Sequence, residues 1–321
     1  MKAVVIGIDI GGTSTKFGIV DQHGNILAEG AMPTDTHEKV EDFLKDLHQH
    51  LQAMFQLIDE EIELKGIGIG APNGNYYTGT IEQPPNLRWK GVTPFISLLS
   101  QYYPVPMALT NDANAAALGE MLFGGAKGMK DFIMITLGTG LGGGVVVNGQ
   151  LVYGHDGFAG ELGHTLVNVN GRYCGCGRRG CLETYASATG IKRTVYKLLA
   201  DHNIDSELRA FAYNELTAKM ITQAAIRGDK IAIEAFEYTG RILGMKLADM
   251  VVINSPEAIF LFGGLTLAGD YLFKPTQYHL EANMMPIFKG KVKLLPSQLS
   301  DKNAAVLGAG ALIWMELESK N

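Results

Sequence analysis

Three cysteines fall within eight residues of this 321-residue chain, as Cys174-Gly-Cys176-Gly-Arg-Arg-Gly-Cys181. Thiols this close share one locus, and glycines at 175, 177 and 180 permit the tight knuckle that converging metal ligands require. An odd count argues against a disulfide framework. Separate burial of three small thiols is the competing reading, and the glycine spacing weighs against it. Zinc asks for a fourth nitrogen or sulfur ligand. His164 and His155 are the nearest upstream histidines, and spacing alone does not choose between them.

A second chemistry is written twice. Residues 4–30 (VVIGIDIGGTSTKFGIVDQHGNILAEG) and 132–154 (FIMITLGTGLGGGVVVNGQLVYG) each read as an apolar strand, a Gly/Thr loop, a second apolar strand, an Asn/Gly turn and a third short strand. Gly11 and Gly12, like Gly138, Gly140, Gly142 and Gly143, let backbone N–H groups approach a ligand without an intervening Cβ. N–H groups clustered in a tight turn form an anion-binding concavity. Thr13 and Thr139 add hydroxyls, and Lys16 adds a cation. Asp9 lies in an apolar strand just before the first loop, where a carboxylate needs a partner such as a metal ion or its water shell. An ordinary hairpin turn explains either loop alone, but neither the repetition nor the threonines. Two loops on one polyphosphate explain both. Gly138-x-Gly140-x-x-Gly143 has dinucleotide-fingerprint spacing, yet a β-branched run follows where that motif needs a helix, and no G-x-x-x-x-G-K-[ST] occurs.

Asn111-Asp112 follows the strand-like VPMALT and opens a helical run, a position that favours an N-cap. Phosphoryl transfer to an alcohol needs a carboxylate that orients the hydroxyl and accepts its proton, and a cap is rigidly placed. Glu161 and His164 share a face if their segment forms one helical turn. A metal-bound histidine has a fixed ring orientation, which leaves its second nitrogen for a hydrogen bond.

The elements that position these groups alternate between helix and strand. Val40, Phe43, Leu44, Leu47, Leu51, Met54, Phe55 and Ile58 predict an amphipathic helix within 38–59. LKGIGIGAP predicts a buried strand, and 72–91 a long loop. A short helix at 95–102, a strand at 105–110 and a helix at 113–122 come next. Helices around 187–202, 206–212, 215–227 and 230–250 follow the cysteines, then a strand at 258–264, a helix from Leu267 and a C-terminal helix from Asn303. The pattern is α/β with two layered domains. Hydrophobic residues at 46% and charged residues at 19% mark a packed globule. A net charge of −6 without a basic stripe argues against nucleic acid. Asp9 interrupts the first apolar run too soon for a signal peptide, and no stretch predicts a membrane span. A cytoplasmic location is expected.

The duplicated strand–loop–strand resembles the actin-like ATPase fold of sugar kinases, heat-shock ATPases and actin. Asp9-Ile10-Gly11-Gly12-Thr13 with Lys16, Leu137-Gly138-Thr139-Gly140-Leu141-Gly142, and Gly163-His164 followed after nine residues by Cys-x-Cys-Gly-x-x-Gly-Cys-x-Glu are together similar to the ROK family of repressors, open reading frames and kinases. The likeness runs essentially end to end. It implies a two-domain actin-like ATPase (ribonuclease H-like) α/β fold with nucleotide and sugar in an interdomain cleft. The expected small domain spans 1–118, with a helix at 303–321 returning to it, and the large domain spans 119–302 with a zinc knuckle at 164–183.

The resemblance also implies roles. ATP with Mg²⁺ is expected on Asp9, Gly11, Gly12, Thr13, Lys16, Gly138, Thr139 and Gly140, with Gly263 and Gly264 by the adenine. A structural zinc is expected on His164, Cys174, Cys176 and Cys181. Asp112, in Asn111-Asp112-Ala113-Asn114, is the expected general base. Asn86, Asn111, Asp112, Glu161, His164 and Glu183 are the expected sugar ligands, with Gly79 or Thr80 as a further contributor. The implied reaction is ATP-dependent phosphorylation of a hexose 6-hydroxyl, glucose first, with fructose, mannose, N-acetylglucosamine and N-acetylmannosamine as alternatives. The cysteine cluster disfavours the polyphosphate-using branch. A non-catalytic sugar-sensing regulator is the rival class. It carries an N-terminal helix-turn-helix, for which a first strand beginning by residue 4 leaves no room. Assembly as a homodimer or homotetramer is expected from the family.

Overall fold

The computed structural model describes residues 1–299 and 303–319. The expected end of the large domain (300–302) and of the C-terminal helix (320–321) lie outside the described residues. The chain opens with β1 (Lys2–Ile10), β2 (Ser14–Asp21) and β3 (Ile26–Pro33), then α1 (Val40–Phe55) and β4 (Ile62–Gly70). Next come β5 (Gly74–Asn75), β6 (Thr80–Glu82), β7 (Val92–Thr93), α2 (Phe95–Leu99), β8 (Met107–Thr110) and α3 (Asp112–Phe123). The second hairpin follows as β9 (Phe132–Leu137), β10 (Leu141–Val147) and β11 (Gln150–Leu151). After the cysteine segment come α4 (Ala188–Asp201), α5 (Ala218–Ile226), α6 (Lys230–Asn254), β12 (Ala258–Phe262), α7 (Asp270–Asn283), β13 (Lys293–Pro296) and α8 (Ala304–Ser319).

Two compact units result: Met1–Met129 with Gln150–Gly160 and Ser297–Asn321, and Lys130–Gly149 with Glu161–Pro296. The first continues past residue 118 because α3 runs on to Phe123 and packs on α8. Buried Glu120 accepts from Gly125 N, Gln298 N and Ser297 Oγ, which ties the segments at both ends of this stretch to α3.

Each unit is built on a sheet of the same design, β3-β2-β1-β4-β8 in the first and β11-β10-β9-β12-β13 in the second. In both, an antiparallel hairpin is followed by two strands parallel to its first member. The first core takes Ile6, Ile8 and Ile10 from β1 together with the apolar face of α1, namely Phe43, Leu44, Leu47 and Leu51. On β1 and β4, Gly7 and Gly68 lie so close to α8 that a Cβ would meet Val306 O at 2.2 Å and Ala309 O at 1.8 Å. Helix α8 therefore rests directly on the strands. The second core joins Ile133, Ile135 and Leu137 of β9 to Phe236, Leu243 and Leu247 of α6.

Several expected elements differ in detail. The 72–91 stretch is not only a loop: it holds β5 and β6, which with β7 just beyond it form a small three-stranded sheet. Residues 206–212 make a 3-10 turn at Glu207–Ala210, and the helix expected from Leu267 begins as a 3-10 turn at Gly264–Ala268 before α7. Among the described residues no helix is long and apolar enough to cross a membrane.

Candidate active site

In the first unit, Gly11–Thr13 connects β1 to β2, and Gly11 N–H donates to Ser14 O at 3.1 Å. A Cβ on Gly11 would meet that carbonyl at 2.7 Å, and one on Gly12 would meet Cβ of Asn86 at 2.8 Å. The loop thus closes on itself with Asn86 laid upon it, while Thr13 and Lys16 stay exposed. Asp9 stands opposite Lys16 in the β1–β2 register. Its side chain is half-buried. Burial first, and the nearby Asp112 second, push its pKa up to about 7, while Lys16 pulls it down. A desolvated carboxylate beside a second carboxylate, with one lysine to offset both, is a donor set that a divalent cation fits.

Asn111 Oδ1 accepts Asn114 N–H at 2.8 Å and caps α3. The cap uses one lone pair of the oxygen, which leaves the two Nδ2 donors and a second lone pair for a ligand. Asp112 is the first residue of the helix and is open to solvent. The surrounding protein desolvates its carboxylate and raises its pKa, opposed by the N–H of Ala113 at 2.9 Å. Water at the exposed face offsets part of that rise.

In the second unit three residues likewise, Gly138–Gly140, connect β9 to β10, and Leu137 pairs with Leu141. A Cβ at Gly138 would meet nothing within 4 Å, whereas one at Gly140 would meet Glu183 Oε2 at 2.3 Å. Gly263 has φ +107° and lies against Leu137, its Cβ position 2.6 Å from Leu137 O; Gly264 is open. Both glycines thus belong to the surroundings of the β9 loop.

The cysteine segment is a tight knuckle. Leu166 bridges Cys181 and Tyr173 bridges Arg179 in antiparallel fashion, and Cys174 N–H donates to Arg178 O at 2.9 Å. Potential ligand atoms of His164, Cys174, Cys176 and Cys181 lie within 4.8 Å of one another, and His155 is not among them. Cys176 Sγ and Cys181 Sγ are 3.6 Å apart, and Cys174 Sγ is 3.7 Å from His164 Nδ1. That is too far for a disulfide and close to the edge of a tetrahedron with Zn–S bonds of about 2.3 Å. The cluster fits a structural zinc site. Burial pushes the Cys174 thiol up to about 12. At Cys176 burial is outweighed by the amide and guanidinium of Arg178, and the thiol is lowered to about 6. Glu161 directly precedes the 3-10 turn Leu162–His164, and its Oε2 is 3.8 Å from His164 Nε2. One ring nitrogen therefore faces the thiols and the other a carboxylate.

The family model for the ROK family matches residues 5–316. The chain belongs to the ROK family. A glucokinase of Halalkalibacterium halodurans is 36% identical, over 96% of this chain and 94% of its own. A glucokinase of Thermotoga maritima is 34% identical, over 97% and 98%. The crystal structure of a ROK family glucokinase from Streptomyces griseus in complex with glucose and AMPPNP superposes with a TM-score of 0.80 at 32% identity, covering 96% of this chain and 98% of that one.

Three features of this ROK site are not apparent in the sequence. Glu183 Oε2 accepts Leu141 N–H at 3.0 Å while Oε1 lies 3.7 Å from Cys174 Sγ, so this carboxylate braces the β9–β10 loop from the knuckle. Arg172 donates to Thr184 O, Gly190 O and Thr194 Oγ1 and stacks on Tyr185 at 4.6 Å, fastening the knuckle to α4. Arg178 donates to His164 O at 2.8 Å. An arginine gives no local signal of such long-range carbonyl partners.

Proposed function

We propose that this ROK protein is an ATP-dependent glucokinase that transfers the γ-phosphoryl group of Mg²⁺–ATP to the 6-hydroxyl of glucose. The observation that carries the reading is Asp112: a solvent-open carboxylate of raised pKa, rigidly placed at the start of a capped helix, close enough to Asp9 to raise its pKa. The glucokinase relatives and the glucose- and AMPPNP-bound neighbour support glucose and ATP as the pair.

Asp112 accepts the 6-hydroxyl proton as the sugar oxygen bonds to the γ-phosphorus and the bond from that phosphorus to the β,γ-bridging oxygen breaks. A carboxylate pKa above the usual range suits a base working near neutrality. Asn86, Asn111, Glu161, His164 and Glu183 orient the sugar, since amides and carboxylates can each serve adjacent hydroxyls. Gly11 closes its loop on Ser14 O and leaves room beside it; backbone N–H groups at Gly12, Gly138 and Gly140, with the hydroxyls of Thr13 and Thr139, meet the phosphates, and Lys16 adds charge. Gly263 and Gly264 give the adenine a surface without side chains. Asp9 would hold Mg²⁺, which would supply charge neutralisation at the phosphates. His164, Cys174, Cys176 and Cys181 would hold a structural zinc, which would supply rigidity to the knuckle; the His164 Nε2 faces Glu161 and is the ring atom offered to the sugar. Most of the acceleration comes from positioning and electrostatics. A cytoplasmic homodimer or homotetramer is part of the same proposal, read by light scattering.

The test is ADP release with ATP across glucose, fructose, mannose, N-acetylglucosamine and N-acetylmannosamine. Glucose is expected to give the highest kcat/KM. A higher value for another sugar reassigns the substrate, and sugar binding without turnover favours a sensing protein.

A further inference from the structure

The segment that leads into Glu161 is moored by one buried amide. Asn75, 4% exposed, donates from Nδ2 to Asp156 O at 2.8 Å and to Glu82 Oε1 at 3.0 Å. Its Oδ1 accepts Tyr77 N–H at 3.0 Å. Gly157, at φ +90°, packs on the same side chain so closely that a Cβ would lie 2.5 Å from Asn75 Oδ1. Alongside, the rings of Tyr76 and Tyr153 stack at 3.9 Å with an interplanar angle of 7°. The compact unit that contains all these residues ends at Gly160, and Glu161 begins the other. The chain is thus tied down four to five residues before the first sugar ligand of the knuckle. The tie needs a side chain that donates to a carbonyl and accepts from an amide at once, which asparagine does and aspartate does not.

We propose that Asn75 is a positioning residue for sugar binding: through Asp156 O and Gly157 it sets the path of the chain into Glu161 and His164. The inference rests on the glucokinase reading. Asn75→Asp keeps size and acceptor but loses the donor and puts a carboxylate against a carbonyl and Glu82. A buried hydrogen bond lost in this way is expected to raise the glucose KM about tenfold. The ATP KM stays within about twofold, zinc content is unchanged, and amide exchange over 154–160 quickens. Gly157→Ala attacks the same contact from the other side, with Asn75 intact, and should move the glucose KM in the same direction. Leu99→Ala, in the core of the same unit, serves as a control matched for lost Tm and should leave the glucose KM unmoved. The proposal is overturned if both mooring variants keep the wild-type glucose KM, or if the KM values for glucose and ATP rise together. Wild-type protein that turns over no hexose instead removes the glucokinase reading, and this inference with it.

Discussion

In the first sheet the register position beside the glycine loop holds Asp9 opposite Lys16; in the second the corresponding position holds Thr136 opposite Gly142. There Thr136 Oγ1 simply accepts Gly142 N–H at 3.2 Å. One backbone design has been given two kinds of side chain. The first loop carries ionisable groups, with Asp112 close enough to raise the pKa of Asp9. The second carries none, and its Glu183 brace comes from the knuckle. In the proposed function, a chain of net charge −6 confines the charge offered to a polyphosphate to one loop and makes the other a shaped surface of N–H groups and hydroxyls. The contrast predicts that charge variants in the first unit act on kcat, and shape variants in the second on KM.

The sharpest test of the charged side is Asp112→Asn. Loss of the base is expected to lower kcat by about 10²–10⁴-fold while calorimetry still detects glucose binding; turnover within threefold of wild type would remove the assignment. The matching test of the shaped side is Cys176→Ser. Zinc measured by atomic absorption should fall below one per chain, and glucose KM should rise about 10–100-fold as His164 loses its fixed ring. ATP KM is expected to move far less. Unchanged zinc would show that the cluster does not need all three thiols.

The two sides also differed in how far the sequence disclosed them. The knuckle and the hairpins were legible because their information is local: cysteines and glycines at short spacing, and apolar runs broken by Gly/Thr loops. The sheet β5-β6-β7 was not, since strands of two or three residues are too short to show a period. Strand β13, KLLP, is half-exposed and offers no alternation. The membership of 150–160 in the first unit goes with long-range ties such as the bond from Asn75 to Asp156, 81 residues apart, and the stack of Tyr76 on Tyr153. The sequence suggested a ligand-facing role for Gly140, but not its contact with Glu183, because that neighbour comes from the folded knuckle.

That contact separates two glycines of one loop. Gly138→Ala meets no protein atom, so it should leave Tm unchanged and raise the ATP KM about tenfold by filling phosphate space. Gly140→Ala collides with Glu183 Oε2, 2.3 Å from the new Cβ. It should displace the carboxylate, lower Tm and raise the glucose KM more than the ATP KM. Equal effects of the two substitutions on both substrates would erase the distinction between cradle and brace.

The smallest expected effect concerns the stability of the charged loop. Asp9 has a folded pKa of about 7 against an ordinary value of 3.8, raised by burial and by Asp112. The folded state therefore binds more protons than the unfolded chain between these values, and folding stability falls as pH rises through that window. Above about pH 7 the cost is fully present; below about pH 4 it vanishes. Partial exposure of Asp9 to water keeps the cost near about 1 kcal/mol, well below the ceiling that the full shift would give. In chelator-treated protein without nucleotide, Asp9→Asn should thus raise Tm by about 2–4 °C at pH 8 and by nothing measurable at pH 4. Thr136→Val, at the uncharged counterpart, should change Tm by the same amount at both pH values. A pH-independent gain for Asp9→Asn would mean that its charge is already matched by Lys16, and the first loop would then hold no unbalanced carboxylate for a cation to meet.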